Sequence, residues 1–238
     1  MVDYPWCMAH ERLAHHLFSG GPGASMADEL AGWLGTSSRF RAWAESHRDK
    51  IRKKLRSAGD ADARLDVRAE LRVAHLLLAD RRFELAFEAY GSTKGGPDFT
   101  AAFRGERRFN IEVTRLHGAS KLATYGGPLL TKLRQLPPSV PNVVLMAVEG
   151  NRAEAIDVAE AARALRARAD AKDDAFFATR GFETARAFYQ RYLRLGAVIV
   201  FSDAAVGEGR AAVWTNRSAR IAVPERALRA CLTCLRAG

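Results

Sequence analysis

Cysteine is scarce in this chain of 238 residues: Cys7, Cys231 and Cys234 are all it has. So small and odd a number excludes a disulfide framework. No run of about 18 apolar residues occurs, so no membrane-spanning helix is expected. The opening Met-Val-Asp-Tyr-Pro-Trp-Cys has no basic region followed by an apolar segment. It predicts no secretory leader, and a cytoplasmic address follows by default. There is no internal repeat. Also missing are a Gly-x-Ser-x-Gly elbow, a Gly-x-x-x-x-Gly-Lys phosphate loop and a His-Glu-x-x-His helix, which disfavours the hydrolase and nucleotide-binding classes built on them. Basic residues are not interleaved with aromatics as on a single-strand stacking platform.

Charge, by contrast, is plentiful and of one prevailing sign. Lysine and arginine total 37 against 27 acids, a formal charge of +10. That suits a polyanionic partner such as DNA or RNA, or a negative membrane surface. The length supports one sizeable core with an N-terminal extension. Cys231-x-x-Cys234 lies in an apolar helical pattern, where buried free thiols are common. Together with Cys7-x-x-His10 it would supply four zinc ligands if the chain ends met.

Residues 1–36 read as short helices broken at Ser19–Gly23 and at Gly35, with Gly20-Gly21-Pro22-Gly23 a linker. Ser37 or Ser38 can cap a long helix to about Ser57, with Phe40, Trp43, Ile51 and Leu55 on its apolar stripe. Its end carries Lys50, Arg52, Lys53 and Lys54, which match the helix dipole and can equally contact phosphates. A second helix is predicted over about 63–80, with Glu70 within it. Phe83–Tyr90 alternates as a half-buried strand. After a flexible loop containing Lys94, Gly95–Leu116 reads as a hairpin turning at Arg104–Arg107. Alternation places Glu112 and Thr114 on one face, and antiparallel pairing brings Asp98 back near Glu112. Two carboxylates so placed can share Mg²⁺ or Mn²⁺. A helix around Leu129–Leu136 stops at Pro137-Pro138, and Asn142–Val148 is an apolar run suited to a central strand. Further helices are predicted over 151–171 and 182–195, strands over 197–201 and 211–214, and a terminal helix after Pro224.

Pro97-Asp98, the spacer, and Glu112-x-Thr114 resemble the signature of the PD-(D/E)xK, restriction-endonuclease-like nuclease superfamily. The order of helix, three strands, helix and strand over about 63–148 is similar to its common core. Thr114 stands where the family has Lys, as in a bacterial member with a replaced or relocated lysine. The resemblance implies an α/β (α+β) fold, with 1–60 an N-terminal helical extension and 61–238 the nuclease-like domain with C-terminal additions. It implies metal-dependent hydrolysis of phosphodiester bonds in nucleic acid, with Asp98 and Glu112 holding the metal. Glu70 matches the family's first-helix acid, and Thr114 could orient the attacking water. Lys132 and Gln135 fall on the following helix, where members place auxiliary polar residues or a migrated Lys. Lys132 is thus the substitute cation, with Lys121 the weaker candidate. Lys50, Arg52, Lys53, Lys54, Lys94, Arg115 and Lys121 are the expected nucleic-acid contacts. Many members dimerise, which makes a homodimer an expectation, although no heptad supplies a coiled coil. The alternatives are a nuclease-fold protein that binds nucleic acid with its chemistry lost at Thr114, and a protein-interaction subunit.

Overall fold

The structure, a computed structural model, describes residues 5–18, 24–91, 96–116, 126–149, 157–203 and 210–237, without the side chains of 5–10, 24, 25 and 126. The predicted linker at 20–23, Lys94, Lys121 and the side chains of Cys7 and His10 therefore lie outside the described residues. The chain divides into two units, Met1–Arg81 and Arg82–Gly238.

The first unit is helical: α1 (Pro5–Phe18), α2 (Ala24–Thr36), α3 (Ser38–Ser46), α4 (Arg48–Ser57) and α5 (Ala61–Ala79). Gly35 does not break α2, which runs through it. Ser37 caps α3, its side chain accepting from the Phe40 N–H, and Asp60 caps α5 through the Ala63 N–H. The single long helix predicted to about Ser57 is two helices, divided at His47 (φ −117°, ψ 11°). Side chains compete with the helix there: the Ser46 hydroxyl donates to the Trp43 carbonyl at 2.7 Å, and His47 Nδ1 lies 2.8 Å from the same oxygen. Arg39 donates to the carbonyls of Leu78 and Asp80, each at 2.8 Å, satisfying acceptors that the end of α5 leaves over. His75 of α5 stacks on Trp33 and meets Phe40 edge-on. The division falls after α5, not near residue 60, because α5 packs with the helices before it.

The second unit is built on one six-stranded mixed sheet in the order β1 (Phe83–Phe87), β2 (Phe99–Phe103), β3 (Phe109–Leu116), β4 (Asn142–Val148), β5 (Leu195–Ser202), β6 (Ala211–Thr215). β1, β2 and β3 are antiparallel neighbours, β3, β4 and β5 are parallel, and β6 returns antiparallel. Alternation makes β1, whose burial reads buried, exposed, buried, exposed, buried. The strand predicted to reach Tyr90 stops at Phe87, because Glu88 turns left-handed (φ 45°) and gives its N–H to the Asp98 carbonyl at 2.8 Å. The β2–β3 connection carries positive φ at both Arg104 (54°) and Gly105 (70°), with the Glu106 N–H on the Phe103 carbonyl at 3.0 Å. Two left-handed central residues are the type I′ arrangement, whose twist matches the flanking strands.

Every residue of β4 is buried, as expected of a strand paired on both edges and covered on both faces. One face packs under α6 (Gly126–Leu133), α7 (Val158–Asp170), α8 (Asp174–Ala178) and α9 (Ala185–Tyr192). Leu129, Leu133, Val144, Met146, Leu165, Phe177, Phe188 and Val198 share its core. α8 is absent from the sequence-based expectation, being only five residues long. Phe177 of α8 stacks on Phe188 with ring centroids 4.4 Å apart, an offset pairing that anchors it. α10 (Glu225–Arg236) packs on β5 and β6 and buries Cys231 and Cys234.

Candidate functional site

The site is assembled from β2, β3 and α6, all in the second unit. The register pairs Phe99 with Ile111 and Thr100 with Asn110, so Asp98, one residue before β2, lies level with Glu112. Asp98 is 8% exposed, and its Oδ2 accepts the Val113 N–H at 2.8 Å. That bond pulls the carboxylate onto β3 beside Glu112. Glu112 is 2% exposed, and its Oε1 lies 2.6 Å from Lys132 Nζ of α6. Thr114 is two residues on and half-buried, its hydroxyl 3.5 Å from the Arg115 carbonyl. Strand alternation puts it on the Glu112 face.

An acid this deeply buried needs a paired charge, because an uncompensated carboxylate loses its hydration with nothing in return. Lys132 supplies that charge from the helix, and its side chain remains 21% exposed. A cation therefore stands beside Glu112 although Thr114 cannot provide one. The donor set fits a hard divalent ion: two carboxylates at level positions, all oxygen, on paired strands. Among the described residues no group of three or more His, Cys, Asp or Glu is placed to hold a metal. Asp98 and Glu112 would thus be the protein's share, with water and substrate oxygens completing the shell, as Mg²⁺ commonly requires.

Beneath the carboxylates lies a polar ladder that the sequence reading missed. The Thr100 hydroxyl donates to Asn110 Oδ1 at 3.1 Å, and Asn110 Nδ2 donates to Asn142 Oδ1 at 3.0 Å. Asn142 Nδ2 in turn lies 2.9 Å from the carbonyls of Pro137, Val140 and Arg194. Both asparagines are fully buried, so this ladder fixes how β3 and β4 begin relative to each other. An asparagine opening an otherwise apolar strand was the available signal, at Asn142 above all.

Other expected site residues are placed elsewhere. Gln135 lies in the turn after α6, its N–H on the Lys132 carbonyl at 3.0 Å, and its side chain lines a separate cavity. Glu70 belongs to the first unit, buried on α5 with an ion pair to Lys54 at 2.5 Å. Lys54 is accordingly committed inside that unit, whereas Lys50 and Lys53 are exposed and Arg52 is half-buried. Arg115 is buried, on the face of β3 opposite Glu112, with its guanidinium 3.6 Å from Glu149. It was expected at a nucleic-acid surface, but the strand period turns it inward. Cys231 and Cys234 are buried on α10, which packs on β5 and β6.

No family model matches the chain, and neither a curated protein nor a solved structure matches it.

Proposed function

We propose that the second unit is a metal-dependent nuclease of the restriction-endonuclease-like class, hydrolysing phosphodiester bonds in nucleic acid. The observation that carries this reading is the ion pair of Lys132 with Glu112, next to an Asp98 drawn onto the same strand. It supplies two acids and a cation where PD-(D/E)xK chemistry needs them, with the cation delivered from α6 in place of the residue at 114. Within this unit the order of three strands, helix and strand, with β3 and β4 parallel, supports the same assignment.

In this reading Asp98 and Glu112 hold Mg²⁺ or Mn²⁺, which when bound supplies Lewis acidity toward the phosphodiester and lowers the pKa of the attacking water. Lys132 stabilises the charge that builds on the phosphate oxygens, acting from a position held before substrate arrives. The Thr114 hydroxyl orients water by hydrogen bonding. Lys50 and Lys53 belong to the first unit and offer exposed charge for backbone phosphates.

A second reading has the same fold binding nucleic acid without cutting it. The close Lys132–Glu112 pair favours it, since an acid already neutralised by an ammonium has less charge left for a metal. The test is cleavage of supercoiled plasmid, single-stranded DNA and RNA with Mg²⁺ or Mn²⁺, using wild type and Asp98→Ala/Glu112→Ala. Cleavage by wild type alone supports the nuclease. Salt-dependent binding without cleavage, with a log–log slope of about −0.9 per phosphate contacted on duplex DNA, supports the second reading.

A further inference from the structure

While Lys132 reaches β3, Thr131 of α6 and Arg134 and Gln135 of the turn that ends it line a different space. With Gly181, Arg191 and Arg194 they border a cavity of about 650 Å³, a size suited to a small organic ligand. Three guanidinium groups line it. The one acid on its wall, Glu183, forms no ion pair with them, nor does any other carboxylate among the described residues. Basic residues on a protein surface usually face water or a carboxylate. Here three of them border one hollow with no carboxylate paired to them among the described residues.

Arg194 is held in place at both ends. Its Nη1 donates to the Leu136 carbonyl at 3.0 Å, and its own carbonyl accepts from Asn142, the residue that ties β4 to Asn110 of β3. Its Nε is buried and has no hydrogen-bond acceptor among the described residues. Burial, and then the like charges of Arg191 and Arg220, push the Arg194 pKa below its ordinary value. Positive charge is therefore concentrated and under-compensated at this wall, which a bound anion would relieve. Arg134 adds a close approach of its own. Gly181 is left-handed (φ +79°), and a Cβ there would stand 2.7 Å from Arg134 Nη1. The guanidinium lies close to the bare Gly181 backbone, where a side chain would make it shift and would itself be strained at this φ.

Planar guanidinium forks pair best with phosphate oxygens, and several together match a dianion better than a singly charged diester. We propose that this cavity binds a phosphate monoester, carried either by a free nucleotide or by the phosphorylated end of a nucleic-acid strand. The strand-end source rests on the nucleic-acid reading above; the free-nucleotide source does not.

The test uses the full chain with EDTA present, so that no cleavage intervenes. Binding is measured for a nucleoside 5′-monophosphate against its nucleoside, and for a short oligonucleotide bearing a 5′-phosphate, a 3′-phosphate or hydroxyl ends only. A hydroxyl-ended strand two nucleotides longer serves as the control for added charge. Wild type should prefer a phosphorylated ligand by about tenfold over its hydroxyl counterpart, a gain on the scale of charge-assisted hydrogen bonds. Preference for the mononucleotide identifies the free source, and preference among oligonucleotides alone identifies the strand end. Arg134→Ala/Arg191→Ala should abolish the preference while melting like wild type, since neither side chain makes an ion pair among the described residues. Equal binding of phosphorylated and hydroxyl ligands by wild type, or a preference that survives in the double variant, would overturn the proposal. Asp98→Ala/Glu112→Ala should keep the preference, so loss of the nuclease reading and loss of this one are told apart.

Discussion

Replacing Lys132 by Met keeps the aliphatic length of the side chain and removes the ammonium from a carboxylate that is 2% exposed. Breaking a fully buried pair by deleting one partner costs about 3–5 kcal/mol. The Lys132 side chain is 21% exposed, so part of its charge is already solvated, and about 2 kcal/mol is the appropriate scale here. For a domain of this size that corresponds to a fall of about 4–8 °C in Tm. Adding Glu112→Gln removes the stranded charge, so the double variant should recover part of the loss, with a coupling of about 1–2 kcal/mol. Saturating Mg²⁺ should raise the Tm of Lys132→Met more than that of wild type, because a divalent ion between Asp98 and Glu112 restores the missing positive charge. Differential scanning calorimetry of wild type, both single variants and the double, with and without Mg²⁺, reads all three effects. The reasoning fails if Lys132→Met melts within about 1 °C of wild type, or if the double variant is less stable than both singles by simple addition.

His75 sets a pH dependence in the first unit. Burial and then Arg72 lower its pKa from the ordinary 6.5, outweighing the opposite pull of Glu29. The folded state therefore binds the proton less readily than the unfolded chain. Stability is fully present above about pH 6.5 and is lost as pH falls through that value toward the lower folded pKa. Melts between pH 7.5 and 5.5 should show this fall, and His75→Gln should flatten it; equal pH dependence in the two would be against the assignment. Asn142→Leu should cost about 3 kcal/mol or more, because it strands the Asn110 amide together with the carbonyls that Asn142 serves. Denaturant unfolding checks it, and a loss below about 1 kcal/mol would mean that water replaces the ladder.

The hairpin was legible because its determinants are local. Alternation sets the faces of β3, Gly105 supplies the turn, and Pro97 positions Asp98 at the start of β2. The run from Asn142 to Val148 likewise announced a strand covered on both faces. What escaped depended on partners distant in sequence. Arg115 reads as a surface cation until Glu149 and the strand period turn it inward. Lys54 looks like one more phosphate contact in a basic run, yet Glu70 captures it. The helix break at His47 arises where side chains compete for one carbonyl, and no proline or glycine marks it. Asn110 and Asn142 make sense only once β3 and β4 are adjacent.

The most direct test of the two-carboxylate centre is calorimetric titration of Mn²⁺ into wild type and Asp98→Ala/Glu112→Ala, independent of any substrate. Wild type should bind the ion at one site, and the double variant should show no specific heat while remaining folded. Absence of binding to wild type, or identical binding to the variant, would contradict the assignment of Asp98 and Glu112 as a metal-holding pair.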